Sequence, residues 1–88
     1  MKHTKLLLQL DDDTTPVINN LTRRDIELLR FIAQDLSNQE IADNLKLSLA
    51  TVKKNISDLL VKLDMRDRVQ LAVYAVVNGF IEKEELNL

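Results

Sequence analysis

Ten residues in the middle of the chain, SLATVKKNIS at positions 48–57, concentrate side chains able to engage another molecule. Lys53 and Lys54 are adjacent cations, and Asn55 follows them with a carboxamide that both donates and accepts. Ammonium groups can donate to phosphate oxygens or to guanine O6 and N7, while a carboxamide can pair with adenine or a phosphate. The same lysines can equally keep a helix soluble, which is the commoner fate of exposed lysine. Val52, Ile56, Leu59 and Leu63 recur at helical spacing and turn inward together. Ala50, Lys53, Lys54 and Ser57 then lie along one exposed flank, and Thr51, Asn55, Asp58 and Lys62 along the other.

The chain offers little for catalysis. Its 88 residues include no cysteine, so a thiol nucleophile, a thiolate metal site and a disulfide framework are all excluded. His3 stands alone without an acid–base partner, and Asp11, Asp12 and Asp13 read as a solvated loop with no further ligands nearby. No enzymatic activity, metal, cofactor or small-molecule ligand is expected. Leu6 to Leu8 with Leu10 is too short for a membrane span or a secretory apolar region, so a cytoplasmic location is expected.

The formal net charge of -2 does not by itself suggest a nucleic-acid binder, but the distribution is uneven. Residues 1–20 set two lysines against Asp11 to Asp13, and residues 82–88 set Lys83 against Glu82, Glu84 and Glu85. Between them, Lys46, Lys53, Lys54 and Lys62 face only Asp58 within residues 46–62.

These side chains must be carried by helices. With 45% apolar and 30% charged residues and a single Gly and Pro, the chain reads as one all-α domain. One helix opening recurs: Leu21-Thr22-x-x-Asp25-Ile26, Leu36-Ser37-x-x-Glu40-Ile41 and Leu47-Ser48-x-x-Thr51-Val52. The hydroxyl caps a first-turn N–H, and in the first two an acidic residue can return a bond to the cap. The flanking apolar residues are spaced to staple the entry. Asp67-Arg68-Val69-Gln70 resembles a fourth box without the staple. Helices are therefore expected near 22–35, 38–45, 49–63 and 67–78. Residues 1–20, broken by DDDTTP, read as a linker or mostly unstructured N-terminal arm, residues 21–81 as the domain, and residues 82–88 as an acidic tail.

A short helix and a longer one joined around Lys46-Leu47-Ser48 match a helix-turn-helix. Alone, that geometry is shared by many helical hairpins. The segments LTRRDIELL, SNQEIA, TVKKNI followed by VKL, and RVQLAVYAVVNGFI add more: residues 21–81 resemble the LuxR-type helix-turn-helix domain at the C-terminus of bacterial response regulators. The resemblance implies a four-helix domain that binds double-stranded DNA, with the third helix for recognition and the fourth commonly for dimerisation. It puts base reading on Lys53, Lys54 and Ser57. Phosphate contacts are expected from Asn38 and Gln39 at the second helix's start, and from Thr51, Asn55 and Arg66. Asp35 and Asp64 replace glycines usual in the family, at positions expected to need a left-handed backbone. Ser57 and Asp58 also depart from the family pattern, so the operator cannot be copied over. Asp25 and Arg68 are expected to support the fold by ion pairing.

The fourth helix has hardly any polar face. Val69, Ala72, Ala75 and Val76 are expected to pack inward, leaving Leu71, Val73, Tyr74 and Val77 as an apolar strip. A homodimer through Val73, Tyr74 and Val77 is the natural expectation, with the N-terminal leucines or the acidic tail as alternative covers. A protein-interaction module using this helix, with weak or no DNA binding, is the competing function. Whether the chain is a regulator in itself or part of a two-domain response regulator stays open.

Overall fold

A computed structural model describes residues 20–81. The expectations for the N-terminal arm and the acidic tail lie outside the described residues, save for position 20. Four helices and no strand occupy the described residues: α1 Arg23–Ala33, α2 Asn38–Leu45, α3 Leu49–Lys62 and α4 Arg68–Val77.

The helix starts form as their sequences require. Thr22 and Ser37 close reciprocal capping boxes with Asp25 and Glu40, while Ser48 caps Thr51 without a return bond. Asp67 accepts from the Gln70 N–H, but Gln70 Oε1 accepts from the Arg66 N–H at 2.7 Å rather than from its own cap residue. The fourth box is thus closed one residue early.

All four helices also stop in the same way. Asp35, Lys46, Asp64 and Gly79 have φ of 66, 57, 55 and 73°. The next residue in each case, Leu36, Leu47, Met65 or Phe80, donates its N–H five residues back, to Phe31, Ala42, Leu60 or Ala75. This is the Schellman ending, with an apolar residue packed onto the core after the left-handed one. The left-handed backbone expected at Asp35 and Asp64 is present. Leu36 and Leu47 each close one helix and stand directly before the cap residue of the next, packed against the core, so the connections are short.

α1 packs most extensively on α4, α2 packs on α3, and α1 also meets α3. Leu28, Leu29 and Ile32 of α1, Ile41 of α2, Val52, Ile56 and Leu59 of α3, and Leu71 and Ala75 of α4 form the core with Leu21. The inward seam expected for α3 is therefore present, with Leu63 partly buried at its edge, and α1 turns a matching seam inward with Ile26 and Ala33 partly buried beside it.

The face assignment of α4 needs correction. Leu71 is fully buried, whereas Val69 is 69% exposed and Val76 is also exposed. A helix that is apolar all round gives periodicity nothing to orient it, and the leucine takes the inward place beside Ala75. Ala72 is half-buried against the core, as is Tyr74, whose ring meets Phe80 edge-on at 6.1 Å. Val73 and Val77 lie on the exposed surface.

Candidate nucleic-acid interface

Burial of Val52, Ile56 and Leu59 fixes the rotation of α3, so Lys53, Lys54, Ser57 and Asp58 face solvent. Lys53 has no polar partner among the described residues. Lys54 does: its Nζ donates to Asp58 Oδ2 at 2.9 Å, with the two side chains 75% and 62% exposed. An ion pair this exposed contributes little stability, so another acceptor can displace Asp58 from Lys54 at small cost. Lys54 and Asp58 thus stand side by side rather than on the opposite flanks expected from sequence, because residues i and i+4 share a helix face, a signal the spacing already carried. Ala50, Ser57 and Val61 complete the ridge, and Val61 is an exposed apolar side chain near its end.

The five side chains expected to meet phosphate occupy three places. On α3, the Ser48 and Thr51 hydroxyl oxygens lie 2.9 Å apart, within hydrogen-bonding distance, and Thr51 is exposed. Asn55 is half-buried one turn later on the same flank. At the start of α2, Gln39 is exposed, with Nε2 donating to Asp43 Oδ1 at 3.0 Å. Asn38 is held from α4: Arg68 Nη1 donates to Asn38 Oδ1 at 2.6 Å, and Nη2 donates to the Leu36 carbonyl. Because a guanidinium only donates, the amide oxygen must face Arg68, which turns the Asn38 NH2 group away as a donor. Arg66 lies before α4 with an exposed side chain. The Arg68 bonds bring the start of α4 onto the start of α2, so Arg66 stands at the same end of the domain as Asn38 and Gln39.

Two expected supporting roles take specific form. Asp25 Oδ2 accepts from Lys62 Nζ at 2.7 Å and also from the Thr22 N–H at 3.0 Å. Lys62 is thereby committed to joining the end of α3 to the start of α1. Arg68 supports the fold through hydrogen bonds from its guanidinium to two neutral acceptors, not through the ion pair expected from sequence.

On another side, Val69, Val73, Tyr74 and Val77 of α4 and Leu63 and Met65 at the end of α3 line a shallow groove of about 510 Å³. No helix among the described residues is long and apolar enough to cross a membrane, and no group of His, Asp or Glu among them could hold a metal ion.

Comparison with known proteins agrees with this arrangement. Residues 19–75 match the family model described as bacterial regulatory proteins, luxR family. Over 62 residues the chain is 44% identical to the transcriptional regulatory protein LiaR of Bacillus subtilis, a match covering 70% of this chain and 29% of that protein. It is 42% identical over 62 residues to the response regulator protein VraR of Staphylococcus aureus, covering 70% of this chain and 30% of the relative. The matched region spans less than a third of the length of either relative. The chain belongs to the luxR family of bacterial regulatory proteins and carries that family's helix-turn-helix DNA-binding domain.

Proposed function

We propose that the domain regulates transcription by laying α3 in the DNA major groove, with Lys53, Lys54 and Ser57 toward base edges. Asn38, Gln39, Thr51, Asn55 and Arg66 would hold flanking phosphates, and two copies would meet through Val73, Tyr74 and Val77 to read two half-sites. The action is binding alone, without reaction or cofactor, in the bacterial cytoplasm, and as part of a response regulator, as its longer relative VraR is named. The observation that carries this reading is the rotation of α3: its apolar seam is buried, and its outward ridge presents two lysines.

Residues 20–81 carry nine Lys or Arg against eight Asp or Glu, so the acid excess of the whole chain lies outside the domain. Fluorescence anisotropy with mixed-sequence duplex DNA tests the reading directly. Binding at low salt that weakens linearly on a log–log plot against salt is expected for phosphate neutralisation. No binding at low salt would reject it.

A further inference from the structure

We infer that Asp58 reads a base, accepting from the N4 amino group of a cytosine whose paired guanine is held by Lys54. The inference rests on the placement of α3 in the major groove. Asp58 is one turn beyond Lys54 on the outward surface, and its carboxylate is 62% exposed. Wherever Lys54 reaches a base edge, Asp58 enters the groove beside it.

A carboxylate in that position is repelled by phosphates and by most of the groove's own polar atoms. Guanine O6 and N7, adenine N7 and thymine O4 are acceptors, and only cytosine N4 and adenine N6 donate. Asp58 is thus tolerated where one of those two amino groups stands, and it rejects other bases at that position. Lys54 decides between them. Its ammonium group is best placed at the paired acceptors O6 and N7 of guanine, whose partner offers N4 next to O6. Nζ and Oδ2 already lie 2.9 Å apart in the free domain, a donor and an acceptor side by side. The G·C groove edge presents the complementary acceptor and donor side by side. Docking would exchange the Lys54–Asp58 contact for two base contacts and leave neither charge unpartnered.

Selection from a random duplex pool, using the full chain and its Asp58→Ala and Asp58→Asn variants, tests this. The parent should enrich cytosine at one position. Asp58→Ala should lose that preference, its discrimination between C and T there falling from about tenfold or more toward unity, while affinity for random DNA rises as a negative charge is removed. Asp58→Asn should shift the preference toward adenine, because a carboxamide pairs with N6 and N7. Unchanged helicity by circular dichroism should accompany both exposed substitutions. An unaltered motif, a uniform gain in affinity without a change of motif, or a lost preference at a base other than cytosine overturns the inference. If the parent motif changes with Lys53→Ala but not with either Asp58 variant, only the role of Asp58 falls. If the parent enriches no motif at all, the placement of α3 falls with it.

Discussion

Lys53 and Lys54 are neighbours in different electrostatic situations: Lys54 is tied to Asp58, while Lys53 has no polar partner among the described residues. Lys53→Ala should leave the melting temperature unchanged and weaken DNA binding. Loss of a phosphate contact would reduce the salt slope by about 1 uniformly across sequences, whereas loss of a base contact would cost roughly 1 to 3 kcal/mol at one operator position. Titrations of several operators over a salt series separate the two, and parent-like affinity throughout would remove Lys53 from the interface. Arg68 makes the opposite case, a cation turned inward. Arg68→Ala leaves the Leu36 carbonyl and Asn38 Oδ1 without their donor, so urea denaturation should show a loss of about 1 to 3 kcal/mol. Arg68→Lys should recover only part of it, because one ammonium cannot reproduce the forked geometry. A parent-like denaturation midpoint for Arg68→Ala would show that these bonds contribute nothing net. The exposed lysines were legible from sequence because helical spacing alone orients them once the seam is known. The partners of Arg68 and Lys62 were not, since they lie 30 to 37 residues away and only tertiary packing brings them near.

At the scale of elements, both ends of every helix are written in local chemistry, but in unequal scripts. The starts use Thr, Ser and Asp caps, which sequence makes plain, and helices expected near 38–45 and 49–63 are observed at Asn38–Leu45 and Leu49–Lys62. Ser37→Ala should therefore cost about 0.5 to 2 kcal/mol in urea denaturation, and an unchanged midpoint would reject the cap. The stops are less obvious, because three of the four left-handed positions hold Asp35, Lys46 and Asp64 in place of glycine. Asp35 and Asp64 were legible through the family resemblance. Lys46 carries no such sign, for lysine is not a residue that favours the left-handed region. Its strain makes Lys46→Gly a stabilising change: relief of about 1 to 2 kcal/mol is only partly offset by roughly 0.5 to 1 kcal/mol of added chain entropy in the unfolded state. A higher melting temperature is expected for this variant, and a lower one would mean that the turn is unstrained.

For the whole molecule, α4 is the element that faces both ways. Its inner side, Leu71 and Ala75, completes the core with α1, and its outer side leaves Val69, Val73 and Val77 in the open beside the apolar turn that ends α3. Sequence alone could not divide these faces, because apolar residues fall all around the helix and only packing against α1 selects Leu71. The two sides should answer differently to substitution. Leu71→Ala opens a cavity in a closed core and should cost about 2 to 5 kcal/mol. Val77, 76% exposed, can accept a charge without disturbing that core. Val77→Glu and Val77→Lys should both keep the parent's helicity, the lysine variant also suiting the negative end of the helix dipole. If two copies meet here, either charge should abolish cooperative binding to a two-site operator, while affinity for a single half-site stays near the parent's. Comparing both operator lengths is decisive, because a dimer that assembles only on DNA would escape a measurement of mass in free solution. Full cooperativity in both variants would move the dimer contact elsewhere, and unfolding of both would show that Val77 belongs to the core.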